Sequence, residues 1–432
     1  MTTALIDAPA VTTAGGIEGR DEADRISALD GLRGFAVLWV MLHHFTHGAT
    51  HHNPLLNAGF TFARYGYWGV DVFFVLSGFL ITGVLHDSKN ASNYLSAFYA
   101  RRSLRIFPLY FAALIIVFVL LPMVHTLTPQ QHAMAQQQGW LWAYMGNLAM
   151  VFHNAPIYDA GGIKLLHFWS LAIEEQFYLV WPAVVLMLSR VGLMRVCVSL
   201  VLVAAASRFT LNAIGIGEQV ASFFTLSRVD GLALGALVAL VARGPGGLVK
   251  WIGKAPWFGF GFAVTLGLVL AARQSIPELA QYWIPMLRLG LFMCVLVLAV
   301  GASGWTSRIF SMRWLSFLGK YSYGLYVFHY MMMPLMDRWV STERMSNLLG
   351  SFIVGMAAHL AICIGASIVV ALLSWHLLEK HFLKLKRHFV PHGRDAHATE
   401  RRGGYEQAQG QTVSVTVFAP AIRSCSTAST SR

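Results

Sequence analysis

Arg33 and His44 stand eleven positions apart in the first apolar stretch. That is about three turns at 3.6 residues each, so a helix presents both on one face. Asp30 lies one turn before Arg33 on the same side. The rise between Arg33 and His44 is about 16 Å, roughly half the hydrocarbon thickness of a bilayer. Such a pair has the chemistry to hold an anion at one level and move a proton at another. Each residue alone also fits a plainer role, an arginine snorkelling at the interface and a histidine closing the outer end.

Other groups extend the set. Arg101, Arg102 and Arg105 precede Ile106-Phe107-Pro108-Leu109-Tyr110, and on a helix Arg102 and Arg105 point the same way. Two forked guanidiniums suit a phosphate-rich ligand. The same cluster also fits cytoplasmic topology charge or contact with anionic lipid. His167 to Tyr178 opens another apolar stretch, with Glu174 and Glu175 at its mouth. Either acid can orient or neutralise a histidine, and either also fits a hydrated loop end. Asp71 enters a long apolar run, where its expected role is pairing within the bundle. Arg208, Arg228, Asp230 and Arg288 read as structural. Arg228 and Asp230, two apart, do not face one another on a helix. His329 is a further intramembrane candidate, with a satisfied core histidine as its alternative. His43 and His47 are one turn apart, but no HExxH or other defined ligand pattern accompanies them, so no metal site is expected.

Something must position these polar groups in lipid. The chain has 432 residues, 56% of them hydrophobic and 12% charged, with a mean hydropathy of +0.56. A soluble domain carries about 25% charged residues, so most of this chain belongs in a membrane. The net charge of +12 does not indicate nucleic acid, because the Lys and Arg residues lie between apolar runs. The four cysteines have neither disulfide-framework nor zinc spacing. The expected fold is an all-α polytopic bundle of about ten spans, beginning near Leu29, Tyr67, Ile106, Leu171, Val196, Val220, Trp257, Ile284, Tyr321 and Ser351. The first reads as a signal anchor rather than a cleaved leader. Residues 28–388 form the membrane domain, between disordered cytoplasmic segments at 1–27 and 389–432.

The shorter run Trp140 to Phe152 decides the side of everything after it. If it does not cross, the later inner segments hold twelve basic residues, from Arg190 to Arg387. The later outer loops then hold only Arg273, Arg338 and Arg344. The positive-inside rule therefore favours ten spans with both ends cytoplasmic, and a re-entrant or interfacial segment at 140–152.

Several blocks, taken in order over roughly Ala28 to Arg387, resemble the acyltransferase 3 family of integral membrane acyltransferases. They are Leu29-Asp30-Gly31-Leu32-Arg33-Gly34 with His44; Gly69-Val70-Asp71-Val72-Phe73-Phe74 with Ser77-Gly78-Phe79; and Arg102-Ser103-Leu104-Arg105-Ile106 with Pro108 and Tyr110. They continue with Trp169-Ser170-Leu171 through Glu174, Phe177 and Tyr178, then Ser322-Tyr323 with His329, and finally Glu379. The family often closes with Glu-x-Pro, where this chain has Glu379-Lys380-His381. The short polar tail resembles the stand-alone members, which lack a periplasmic hydrolase-like domain.

The resemblance implies that the Arg33–His44 pair and the Arg102–Arg105 pair serve acyl transfer. It points to an O-acyltransferase in the bacterial cytoplasmic membrane, with acyl-CoA (acetyl-CoA) as co-substrate and no bound cofactor. Arg33, Arg102 and Arg105 would hold the donor phosphates. His44 would act as general base on an acceptor hydroxyl, with Glu174 orienting its ring. Asp30, Asp71, Ser170, Tyr178 and His329 would support them. The acceptor would be an envelope glycan or a secreted small metabolite. A transporter or flippase would also bury charge at mid-membrane, but paired half-helices or internal repeats are not found.

Overall fold

In a computed structural model of the chain, residues 18–301 and 304–392 are described. Residues 1–17 and 393–432, most of the two expected disordered segments, lie outside them. The architecture is an all-α, polytopic helix bundle. Helix α1, Glu18–Phe45, carries Asp30, Arg33, His43 and His44, and starts ten residues ahead of the expected boundary at 28. After it come α2 (Pro54–Arg64), a 3-10 turn (Tyr65–Trp68), α3 (Gly69–Asp87) and α4 (Tyr94–Ile115). Short helices α5 (Leu121–Val124), α6 (Pro129–Gln136), α7 (Gln138–Trp142) and α8 (Gly146–Phe152) lead into a hairpin, β1 (Asp159–Ala160) and β2 (Ile163–Lys164). Gly161 and Gly162 turn it with φ of 58° and 82°, values that L side chains rarely adopt.

The chain continues through α9 (Phe168–Met187), α10 (Arg190–Ala213), α11 (Glu218–Ala221), α12 (Thr225–Ala242), α13 (Val249–Ile252), α14 (Ala255–Ala272) and α15 (Pro277–Val300). Then follow α16 (Trp305–Phe310), α17 (Arg313–Lys320), α18 (Ser322–Met331), α19 (Met333–Val340), α20 (Thr342–Leu349) and α21 (Phe352–Ser374). A π-helical turn, Trp375–Glu379, joins α21 to α22 (Lys380–Lys384), and a 3-10 turn covers Leu385–His388.

Among the described residues, eight helical stretches are long and apolar enough to cross a membrane, by length and composition. The sequence predicts ten; the first and the ninth fall outside that set. Helix α1 is long enough, but Asp30, Arg33, His43 and His44 dilute its apolar run. The ninth is broken at Tyr321 and Met332 into α17, α18 and α19, where Pro334 opens the third piece. The run at 140–152 is two short helices, α7 and α8, neither near the roughly 20 residues that a span needs.

Glycines bring the central helices close. A Cβ on Gly319 would lie 1.8 Å from the Asp30 carbonyl oxygen, and one on Gly235 would lie 1.9 Å from that of Val75. Backbones can meet this tightly in lipid only where small residues line the crossing. Helix α1 is thus locked to α17, and α3 to α12, which fixes the positions of Arg33 and Ser77.

Candidate active site

Five helices enclose a polar cavity of about 720 Å³ of empty space, part of it continuous with solvent. Helix α1 contributes Arg33, α3 Ser77, α4 Arg102 and Arg105, α9 Ser170, Glu174 and Glu175, and α18 Ser322, Tyr323 and Tyr326. Arg33 is held by Asp30 at 2.8 Å, the i, i+3 pair that helical spacing implies. The Arg102 guanidinium lies 3.9 Å above the Tyr178 ring, with Nη2 3.8 Å from a Glu174 oxygen. Ser77 Oγ donates to Glu174 Oε1 at 2.8 Å. Arg102 Nε and Glu175 Oε1 are buried without a hydrogen-bond partner among the described residues. A donor and an acceptor left free on one cavity suit a polar ligand.

A second polar centre sits at the C-terminal end of α1. His329, fully buried on α18, places Nδ1 3.0 Å from the Leu325 carbonyl oxygen. A carbonyl only accepts, so that nitrogen carries the proton, and in a neutral ring Nε2 is then an acceptor. His44 Nδ1 lies 3.0 Å from that Nε2 and must donate to it. The unprotonated nitrogen of His44 is thereby Nε2. The His44 ring also packs on Tyr330 at 4.3 Å, and the Tyr330 hydroxyl donates to Asp159 on the β1–β2 hairpin. Burial pushes the Asp159 carboxyl up, against the pull of Tyr330 and Lys164.

Ser170 and Tyr326 join the two centres. Their hydroxyls are 2.5 Å apart, one donating to the other, and both lie within hydrogen-bond reach of the His167 carbonyl oxygen. The His167 ring, whose Nε2 donates to the Val327 carbonyl at 3.0 Å, packs 5.6 Å from His329. The cavity wall and the histidine pair are therefore joined by hydrogen bonds as far as His167 and by ring packing from His167 to His329.

A third cluster is structural. Asp71, 2% exposed, lies 2.8 Å from Arg228 and 3.0 Å from Arg288, and Asp230 lies 2.7 Å from Arg208. The expected pairing of Asp71 within the bundle is present. Arg228 and Asp230 indeed take separate partners.

Of the residues singled out in the sequence, Arg33, Arg102, Arg105, Ser170 and Glu174 line one cavity, with Asp30 and Tyr178 behind them. His44 and His329 form a separate pair. The role expected of Glu174 is corrected: it faces Ser77 and Arg102, and the group on His44 Nδ1 is the His329 ring. Ser77, His167, Tyr326 and Tyr330 were not singled out for chemistry. Two of these, Tyr326 and Tyr330, carried a signal, since with Ser322 and His329 they recur at helical spacing in the apolar run of α18.

A family profile described as an acyltransferase domain matches residues 26–376. The peptidoglycan O-acetyltransferase OatA of Listeria monocytogenes is 29% identical over 330 residues, 72% of this chain and 50% of its own length. A protein of Bacillus subtilis named as a putative peptidoglycan O-acetyltransferase is 29% identical over 375 residues, 82% of this chain and 54% of its own. The O-acetyltransferase OatA of Staphylococcus aureus is 30% identical over 322 residues, 71% and 50% respectively. The chain thus spans about half the length of the curated relatives it matches. No solved structure matches it.

Proposed function

The chain belongs to the acyltransferase 3 family, and on that premise we propose that it moves an acetyl group from acyl-CoA to a hydroxyl of an envelope glycan. Peptidoglycan is the acceptor for which two of its relatives are named. The observation that carries the reading is a single helix, α1, with Arg33 in a cavity of arginines and His44 in a tautomer-fixed histidine pair. A polyanionic donor and a proton-transfer step need those two chemistries at two levels of one wall.

The arginines of the cavity hold the donor phosphates, and the thin thioester arm reaches outward along α18. His44 Nε2 takes the proton of the acceptor hydroxyl as its oxygen attacks the thioester carbonyl. The C–S bond breaks, the acetyl ester forms on the acceptor, and the imidazolium gives its proton to the leaving thiolate. No acyl-enzyme is required. His329 keeps the His44 Nδ1 proton occupied, so Nε2 is the nitrogen free to act.

Mass spectrometry of envelope glycans tests the function. A deletion strain should lose an O-acetyl mark that returns with the wild-type chain and not with His44→Ala. Identical glycan profiles in the three strains would overturn it. Purified chain that moves a glycan or lipid-linked substrate across vesicles without acetyl-CoA turnover would favour a transporter.

A further inference from the structure

In and beside the cavity lie cations that pairing does not consume. Arg33 is bonded to Asp30, and Arg102 faces Glu174. The side chains of Arg101 and Arg105, one turn apart on α4, and of Lys386, on the turn Leu385–His388, make no hydrogen bond or ion pair among the described residues. Lys386 is within electrostatic reach of Arg105, Arg102 and Arg101. The acids within reach of Arg105 are Asp30 and Glu379, and each already accepts a hydrogen bond, from Arg33 and from Ser374.

Lys386 is held there by a built contact. Helix α22 and the turn after it pack along α4. The residues beyond are tied to the start of that helix: Asn93 Nδ2 donates to the Val390 carbonyl at 2.8 Å, and the His392 amide donates to Asn93 Oδ1 at 2.8 Å. The Ser92 amide completes the tie to the His392 carbonyl at 3.0 Å. Bringing like charges together costs energy, and more where they are half-buried. An anion with several oxygens removes that cost, and forked guanidiniums beside a point-charge ammonium are suited to one.

We propose that Arg101 and Lys386 extend the anion site of the cavity beyond Arg105 into an adjoining subsite, and that this subsite binds a phosphate-bearing group. Two sources share this chemistry: the nucleotide end of the acyl donor, which rests on the acyl-CoA reading above, and the headgroup of an anionic phospholipid. Lys386 reaches it from the far end of the chain, so the C-terminal segment becomes part of the site.

The test uses the full chain in nanodiscs of phosphatidylcholine. Affinity is measured for acetyl-CoA and for acetyl-phosphopantetheine, which lacks the nucleotide. If the donor is the source, Arg101→Ala and Lys386→Ala each weaken acetyl-CoA about tenfold. Both leave acetyl-phosphopantetheine unchanged, Lys386→Arg retains most of the affinity, and the neighbouring Lys384→Ala behaves as wild type. If lipid is the source, both donors bind as in wild type while the alanine variants lose retention of labelled phosphatidylglycerol. No change in either arm overturns the subsite, and so does equal weakening of both donors, which marks a general distortion. Wild-type protein that binds no acetyl-CoA would overturn the donor reading instead, and the lipid arm would then decide the subsite alone.

Discussion

His44 and His329 meet nitrogen to nitrogen at 3.0 Å, although 285 residues separate them in sequence. The direction of that bond is set elsewhere, by the Leu325 carbonyl on the other side of the His329 ring. Three groups in a row thus decide which nitrogen of His44 is basic.

Removing the middle group should expose its role. His329→Ala frees His44 Nδ1 to rotate or change tautomer, and kcat should fall by about 10²-fold, within the range a positioned base contributes. Donor affinity should hold. His329→Gln, whose side-chain oxygen can accept the same proton, should recover part of the loss. Steady-state kinetics with separate donor binding checks this; equal loss in both variants and in donor affinity would mean a packing role.

His44→Ala should cost about 10²–10⁴-fold in acyl transfer with expression and donor binding intact. His43→Ala should cost much less, because its ring meets His44 edge-on at 5.1 Å and makes no hydrogen bond to the His44–His329 pair. Turnover of the two variants on a competent acceptor decides it. A crippled His43→Ala beside a normal His44→Ala would reverse the assignment.

The double change Arg102→Lys, Arg105→Lys keeps charge and removes fork geometry. Arg102 also loses its stacking over Tyr178. Acetyl-CoA binding should weaken roughly tenfold, read by titration calorimetry in detergent. Unchanged affinity would return the pair to a topology role.

Asp71 neutralises two buried arginines, so Asp71→Ala should destabilise the fold by about 3–5 kcal/mol, the cost of breaking a buried ion pair. Thermal unfolding against wild type in the same detergent measures it. A change below about 1 kcal/mol would show that water reaches Arg228 and Arg288.

Both ends of the chain should face the cytoplasm. A reporter after Arg387 should be active only inside, and a cysteine in place of Asp159 should react with an impermeant maleimide from outside. Reversed labelling would invert the bundle.

The helical class was legible from composition, because so few charges in so apolar a chain leave only membrane helices. The Asp30–Arg33 pair was legible too, since helical spacing alone brings such neighbours together. The 140–152 run was readable as a non-span because, in so short a run, a crossing would have put the twelve later basic residues on the outer side. Spacing could not decide which residues from distant helices meet. Glu174 was matched to His44 by chemical type, yet the packing of α9 against α3 and α4 points it at Ser77 and Arg102. The partner of His44 came instead from α18, and the placement of Lys386 from the return of the chain along α4. Periodicity fixes the face of one helix. Which faces touch depends on the glycine crossings that lock α1 to α17 and α3 to α12, and those are properties of the packed bundle.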